Sequence, residues 1–102
     1  MDRKVELIYD QDCPNVEAAR AQLRKALSAV GAPAKWQEWD REAEGVPMYV
    51  RRYGSPTILV DEHDVEGEGT ESDSNCCRVY VGENGRFQGV PPVDKIVDAL
   101  RS

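Results

Sequence analysis

Histidine and phenylalanine each occur once in this chain, cysteine only three times, and lysine and arginine (13) are outnumbered by aspartate and glutamate (19). Each scarcity excludes something. A net charge of −6 leaves no positive excess for phosphate backbones or anionic membranes, so neither nucleic acid nor membrane is an expected partner. No apolar run approaches the roughly 20 residues of a membrane-spanning helix, and Met1-Asp2-Arg3-Lys4 leads into no apolar signal core. The expected location is therefore cytoplasmic. An odd cysteine count in a reducing compartment argues against a disulfide framework and leaves thiol chemistry or thiol packing. The absence of Cys-X-X-Cys spacing argues against a closed zinc site, and no resident metal or cofactor is expected.

What the chain does contain fits one small domain spanning residues 1–102, with 40% apolar and 31% charged residues. Val5 to Tyr9 reads as a mostly buried strand, and Asp10, Gln11 and Asp12 end it. Cys13 and Pro14 then open an amphipathic helix over 15–30, with Val16, Ala19, Leu23, Ala26, Leu27 and Val30 on one face and Gly31 as its stop. Pro14 suits the first turn, which places Cys13 at or beside the N-cap. There the free backbone N–H groups and the helix dipole favour a thiolate over a thiol. The alternative is an inert thiol filling a corner of the core.

Further along, residues 35–40 read as a short strand whose tryptophans, Trp36 and Trp39, fall on opposite faces. Val46 to Tyr53 reads as a short helix, with Pro47 in its first turn and Gly54 after its last. Thr57 to Val60 has the β-branched composition of a central strand, led in by Pro56. Residues 61–75 carry acidic side chains interleaved with glycine, serine and threonine, which predicts a flexible, solvated loop. No EF-hand pattern of ligands is present there. Cys76 to Val81 reads as the last strand, with Cys76 and Cys77 on opposite faces. Residues 86–92 read as an irregular bridge. Val93, Ile96, Val97 and Leu100 share the face of a closing helix.

The order strand, helix, strand, helix, strand, strand, helix gives an α/β domain: a small mixed sheet covered by helices. With a cysteine opening the first helix and a proline opening the third strand, it resembles the thioredoxin and glutaredoxin superfamily. Asp12-Cys13-Pro14-Asn15-Val16 is similar to the Cys-Pro-X-Cys motif of glutaredoxins. Gly54-Ser55-Pro56-Thr57 is similar to the cis-proline segment that lies against the active-site cysteine. More closely, the chain looks like small bacterial thioredoxin-like proteins with a Cys-Pro-Asn helix start and a Gly-Ser-Pro-Thr strand start. The resemblance implies a βαβαββα fold, with a central mixed four-stranded sheet and three helices. It implies Cys13 as nucleophile and Pro14, Asn15, Ser55 and Pro56 as the residues that shape the turn and orient a thiol or disulfide substrate.

The departures narrow the chemistry. Val16 occupies a glutaredoxin's second cysteine position, so a dithiol relay is excluded and the resemblance implies monothiol chemistry. Gly82 and Gly85 are a loose match to the paired glycines that hold the glutathione carboxylate, and Glu83 would repel that group. In this fold the last strand runs parallel to the first, so its end lies beside Cys13 and its start at the opposite edge, and no bridge from Cys13 to Cys76 or Cys77 is expected. Two alternatives to thiol exchange stand beside it. One is a soft-metal (mercury or copper) binder or carrier using Cys13, Cys76 or Cys77. The other is a redox-inert interaction module whose acidic loop docks a basic partner.

Overall fold

The computed structural model describes residues 3–11, 13–65, 80–81, 87–88 and 90–101. Its centre is a four-stranded mixed sheet in the order β2-β1-β3-β4. Strand β1 (Val5–Tyr9) runs parallel to β2 (Gln37–Asp40), in a register that sets Tyr9 opposite Asp40. On its other side β1 pairs antiparallel with β3 (Thr57–Val60), with Ile8 opposite Thr57, and β3 turns back antiparallel into β4 (His63–Asp64).

The two faces of this sheet are covered differently. Helix α1 (Val16–Ala29) and helix α2 (Val93–Arg101) lie on one face. Val5 and Leu7 of β1 and Ile58 and Val60 of β3 pack there with Ala19, Leu23, Ala26, Leu27, Ile96 and Leu100. These helical positions are the ones the 3-4 spacing predicts. On the opposite face Ile8 and Leu59 meet Val50, with Trp39, Val46, Tyr49 and Tyr53 packed around them. Trp36 joins the helical side and Trp39 the other, as alternation requires.

Helix α1 ends in a Schellman motif. Ala32 N–H donates to the Leu27 carbonyl at 2.9 Å, and Gly31 N–H to that of Ser28 at 3.1 Å. Gly31 takes φ +73° with no atom within 4 Å of where a Cβ would stand. Its requirement is therefore conformational and not steric. Gly31→Ala is expected to lower stability by about 1 kcal/mol in urea denaturation, with an unchanged m-value.

Several sequence expectations are corrected. Among the described residues there are two α-helices, not three, because Met48–Arg52 forms a 3-10 turn. Five residues between Pro47 and Tyr53 are too few to nucleate and propagate an α-helix. The fourth strand of the sheet is His63–Asp64, which falls inside the segment expected to be loop. Asp61 and Glu62, at φ 50° and 72°, form the two-residue turn that returns the chain, and Val65 is buried in the core. Positive φ at both turn residues matches the twist of a tight hairpin, without the glycine that usually signals it. The strand expected at 76–81 does not join this sheet through its described part: β5 (Tyr80–Val81) pairs with β6 (Phe87–Gln88) in a separate two-stranded sheet. Phe87 is therefore in a strand and not in an irregular bridge. Cys76, Cys77, Gly82, Glu83 and Gly85 lie outside the described residues, as do positions 66–75 of the acidic segment.

No helix among the described residues is long and apolar enough to cross a membrane.

Candidate functional site

The carboxyl ends of β1 and β2 and the amino end of β3 meet at one edge of the sheet, the edge where open α/β sheets bind ligands. Three chain segments converge there: the turn 10–15, the start of the connection after β2, and Gly54-Ser55-Pro56. Asp10 joins them. Its carbonyl accepts the Cys13 N–H at 3.0 Å, which closes the turn that delivers the thiol. Its own N–H donates to Ser55 Oγ at 2.9 Å. Its carboxylate Oδ2 accepts from Arg41 Nη1 at 2.9 Å, and Arg41 N–H donates in turn to the Tyr9 carbonyl at 2.8 Å.

The residues expected from sequence fall as follows. Cys13 is a free thiol, 7% exposed. It lies two positions ahead of Asn15, which is the N-cap of α1 and makes no side-chain capping bond. Cys13 is thus not at the N-cap, and Pro14 precedes the cap instead of sitting in the first turn. Asn15 is a favourable capping residue by type, and α1 begins immediately behind it at Val16. Pro14 is exposed and Asn15 half-buried. Ser55 and Pro56 are fully buried, and the bond between them is cis. The Ser55 hydroxyl thus ties the proline segment to the strand end that carries Cys13. Among the described residues no three of His, Cys, Asp and Glu converge to hold a metal ion.

Two features escaped the sequence reading. One is the buried Asp10–Arg41 pair, with both side chains 10% exposed. The other lies further down the same face, where Glu6, the second residue of β1, is 0% exposed. Glu6 Oε2 accepts from Trp39 Nε1 at 2.7 Å and from the Tyr49 hydroxyl. Oε1 has no hydrogen-bond partner among the described residues and faces Lys4 Nζ at 3.8 Å. The cluster fastens the 3-10 turn to the sheet, and with it the chain that leads into Ser55. The alternation of β1 carried the only signal: Glu6 shares its face with Ile8, so a sheet covered on both sides had to bury it.

Burial, followed by the Glu6 carboxylate, pushes the Tyr49 phenol up to about 12 from its ordinary 10.0. The phenol's folded value lies above its unfolded one. The stability contributed by its neutral form is therefore intact below pH 10 and is lost as pH rises toward 12. Tyr49 is expected to ionise late in an absorbance titration at 295 nm. Tyr49→Phe should remove that late step and flatten the fall in stability above pH 10.

On the helical side, Arg20 binds Glu38 through Nε and Nη2, both at 2.8 Å, also reaches Glu17, and lies 5.8 Å from the Tyr9 ring centre. This network fastens the edge strand β2 to α1, and the Arg20 guanidinium holds the Glu38 carboxyl below the usual carboxylate range. A cavity of about 770 Å³ opens at the far end of β1, lined by Arg3, Val5, Leu27, Val30 and Leu100 among others. It shares no residue with the Cys13 edge.

No protein-family model, no curated protein and no solved structure matches this chain.

Proposed function

We propose that the chain is a thioredoxin-like monothiol protein in which Cys13 attacks disulfides or other soft electrophiles. In this reading the 3-10 turn Met48–Arg52 stands where the second helix of a βαβαββα fold would be, and β4 and α2 supply its last strand and helix. One observation carries the reading. Asp10 binds the Cys13 backbone on one side and the Ser55 hydroxyl on the other, so the two motifs that resemble the superfamily share one sheet edge.

The reaction follows from the residues present. The Cys13 thiol gives its proton to solvent, and the thiolate attacks one sulfur of a disulfide R–S–S–R′. A Cys13–S–S–R bond forms as the S–S bond of the substrate breaks, and R′S⁻ leaves with the electron pair. Val16 offers no thiol to resolve the product, so a second, external thiol must release R and regenerate Cys13.

A second reading, an interaction module with an inert interior thiol, is favoured by the 7% exposure of Cys13. Reaction of the folded protein with an aromatic disulfide separates the two, with Cys76 and Cys77 replaced by serine. Release of one aryl thiolate per chain without denaturant supports exchange. Release only after unfolding supports the module.

A further inference from the structure

The buried Asp10–Arg41 pair plays no part in the exchange step above, and stability gives little reason for it. The pair is joined through Arg41 Nη1 and Asp10 Oδ2, while Asp10 Oδ1 and Arg41 Nε are buried without a hydrogen-bond partner among the described residues. A pair so placed loses the hydration of two charges and recovers part of it. In buried pairs of this kind, replacement by apolar residues of similar volume often costs a fold nothing.

Its position suggests a different purpose. Asp10 stands three positions before Cys13 and accepts the Cys13 N–H through its backbone carbonyl. The same backbone must be where it is for Ser55, yet the side chain it carries is an anion. An uncompensated carboxylate there would oppose a thiolate at Cys13 and repel anionic reagents and leaving groups, in surroundings where charges are weakly screened. Arg41 offsets that charge from a second segment. It also donates its backbone N–H to the Tyr9 carbonyl, so its backbone is fixed to the end of the strand that carries the turn.

We propose that Arg41 is a positioning residue of the Cys13 site, which cancels the buried Asp10 charge at the start of the turn that carries the thiol and holds Asp10 where its backbone joins Cys13 to Ser55. The proposal rests on the reading of Cys13 as a nucleophile. Its test is the rate of Cys13 alkylation by neutral iodoacetamide and by anionic iodoacetate, in folded protein with Cys76 and Cys77 replaced by serine. The ratio of the two rates senses charge beside the sulfur and is indifferent to small losses of stability.

Arg41→Gln is expected to lower the iodoacetate-to-iodoacetamide ratio roughly threefold to tenfold, and Asp10→Asn to raise it by a similar factor. Arg41→Lys should restore most of the wild-type ratio, as should the double variant Asp10→Asn/Arg41→Gln. If Arg41→Gln does not fold, Asp10→Asn and the double variant still decide the matter. A reactive wild-type thiol whose ratio is the same in all these variants overturns the role of Arg41 alone. A wild-type thiol inert to both reagents until urea unfolds the chain overturns the nucleophile reading, and this proposal with it.

Discussion

Cys13→Ser is expected to abolish the reaction with aromatic disulfides completely, leaving the far-ultraviolet circular dichroism of the folded protein unchanged. A hydroxyl is not ionised at neutral pH and has no comparable nucleophilicity toward sulfur, so no residual exchange is expected at this position. The fold should survive because Cys13 belongs to neither apolar cluster, and its contact to Asp10 is made by backbone N–H. The measurement is aryl thiolate release per chain, compared between Cys13→Ser and the Cys76→Ser/Cys77→Ser variant. Loss in the first and retention in the second assigns the chemistry to Cys13. The opposite pattern assigns it to the vicinal pair and refutes the site described here.

The second large effect is on stability. Glu6→Ala is expected to cost about 3–4 kcal/mol, which for a domain of this size lowers Tm by roughly 15–25 °C. The loss has two parts. A fully buried side chain leaves a cavity. The Trp39 indole N–H and the Tyr49 hydroxyl also lose the acceptor they share. Glu6→Gln keeps the volume and an acceptor oxygen, so it should cost much less, about 1–2 kcal/mol. If Glu6→Ala proves nearly neutral by urea denaturation, the carboxylate does not fasten the 3-10 turn to the sheet. The consequence also reaches the site. The chain released by losing Glu6 is the one that leads into Ser55 and Pro56, so native-state proteolysis of Glu6→Ala should begin between residues 41 and 54.

How much of this was legible in the sequence depends on whether the signal was local. The face of α1 could be read from Val16 to Leu27, because helical periodicity is written in consecutive residues. Gly31 marked its end for the same reason. The strand β3, apolar throughout, announced a central position, and the order of elements gave the mixed sheet. The hairpin at Asp61 and Glu62 did not announce itself, because its turn uses acidic residues at positive φ where asparagine or glycine is the usual sign. The identity of the fourth strand followed that error.

In the candidate site, Cys13 and Ser55-Pro56 were visible as motifs. The residues that join them were not. Asp10 read only as the end of a strand and Arg41 fell between two elements, and their pairing spans chain that no local pattern relates. Glu6 was recognised as the alternate position of a strand, but its partners Trp39 and Tyr49 come from two other segments. Long-range polar contacts of this kind leave no periodicity, and they appear only when the sheet is assembled.

The measurement that tests the central claim most directly is the alkylation rate of Cys13 in the folded protein, divided by its rate in the same protein unfolded in urea at the same pH. Cys76 and Cys77 are replaced by serine in both. A nucleophile held at the sheet edge by Asp10 predicts a ratio at or above one, since folding then presents the thiol in a form at least as reactive as the free chain. A ratio of about one hundredth or less, the protection expected of a thiol reached only by local opening, would contradict the account and leave Cys13 as part of the interior.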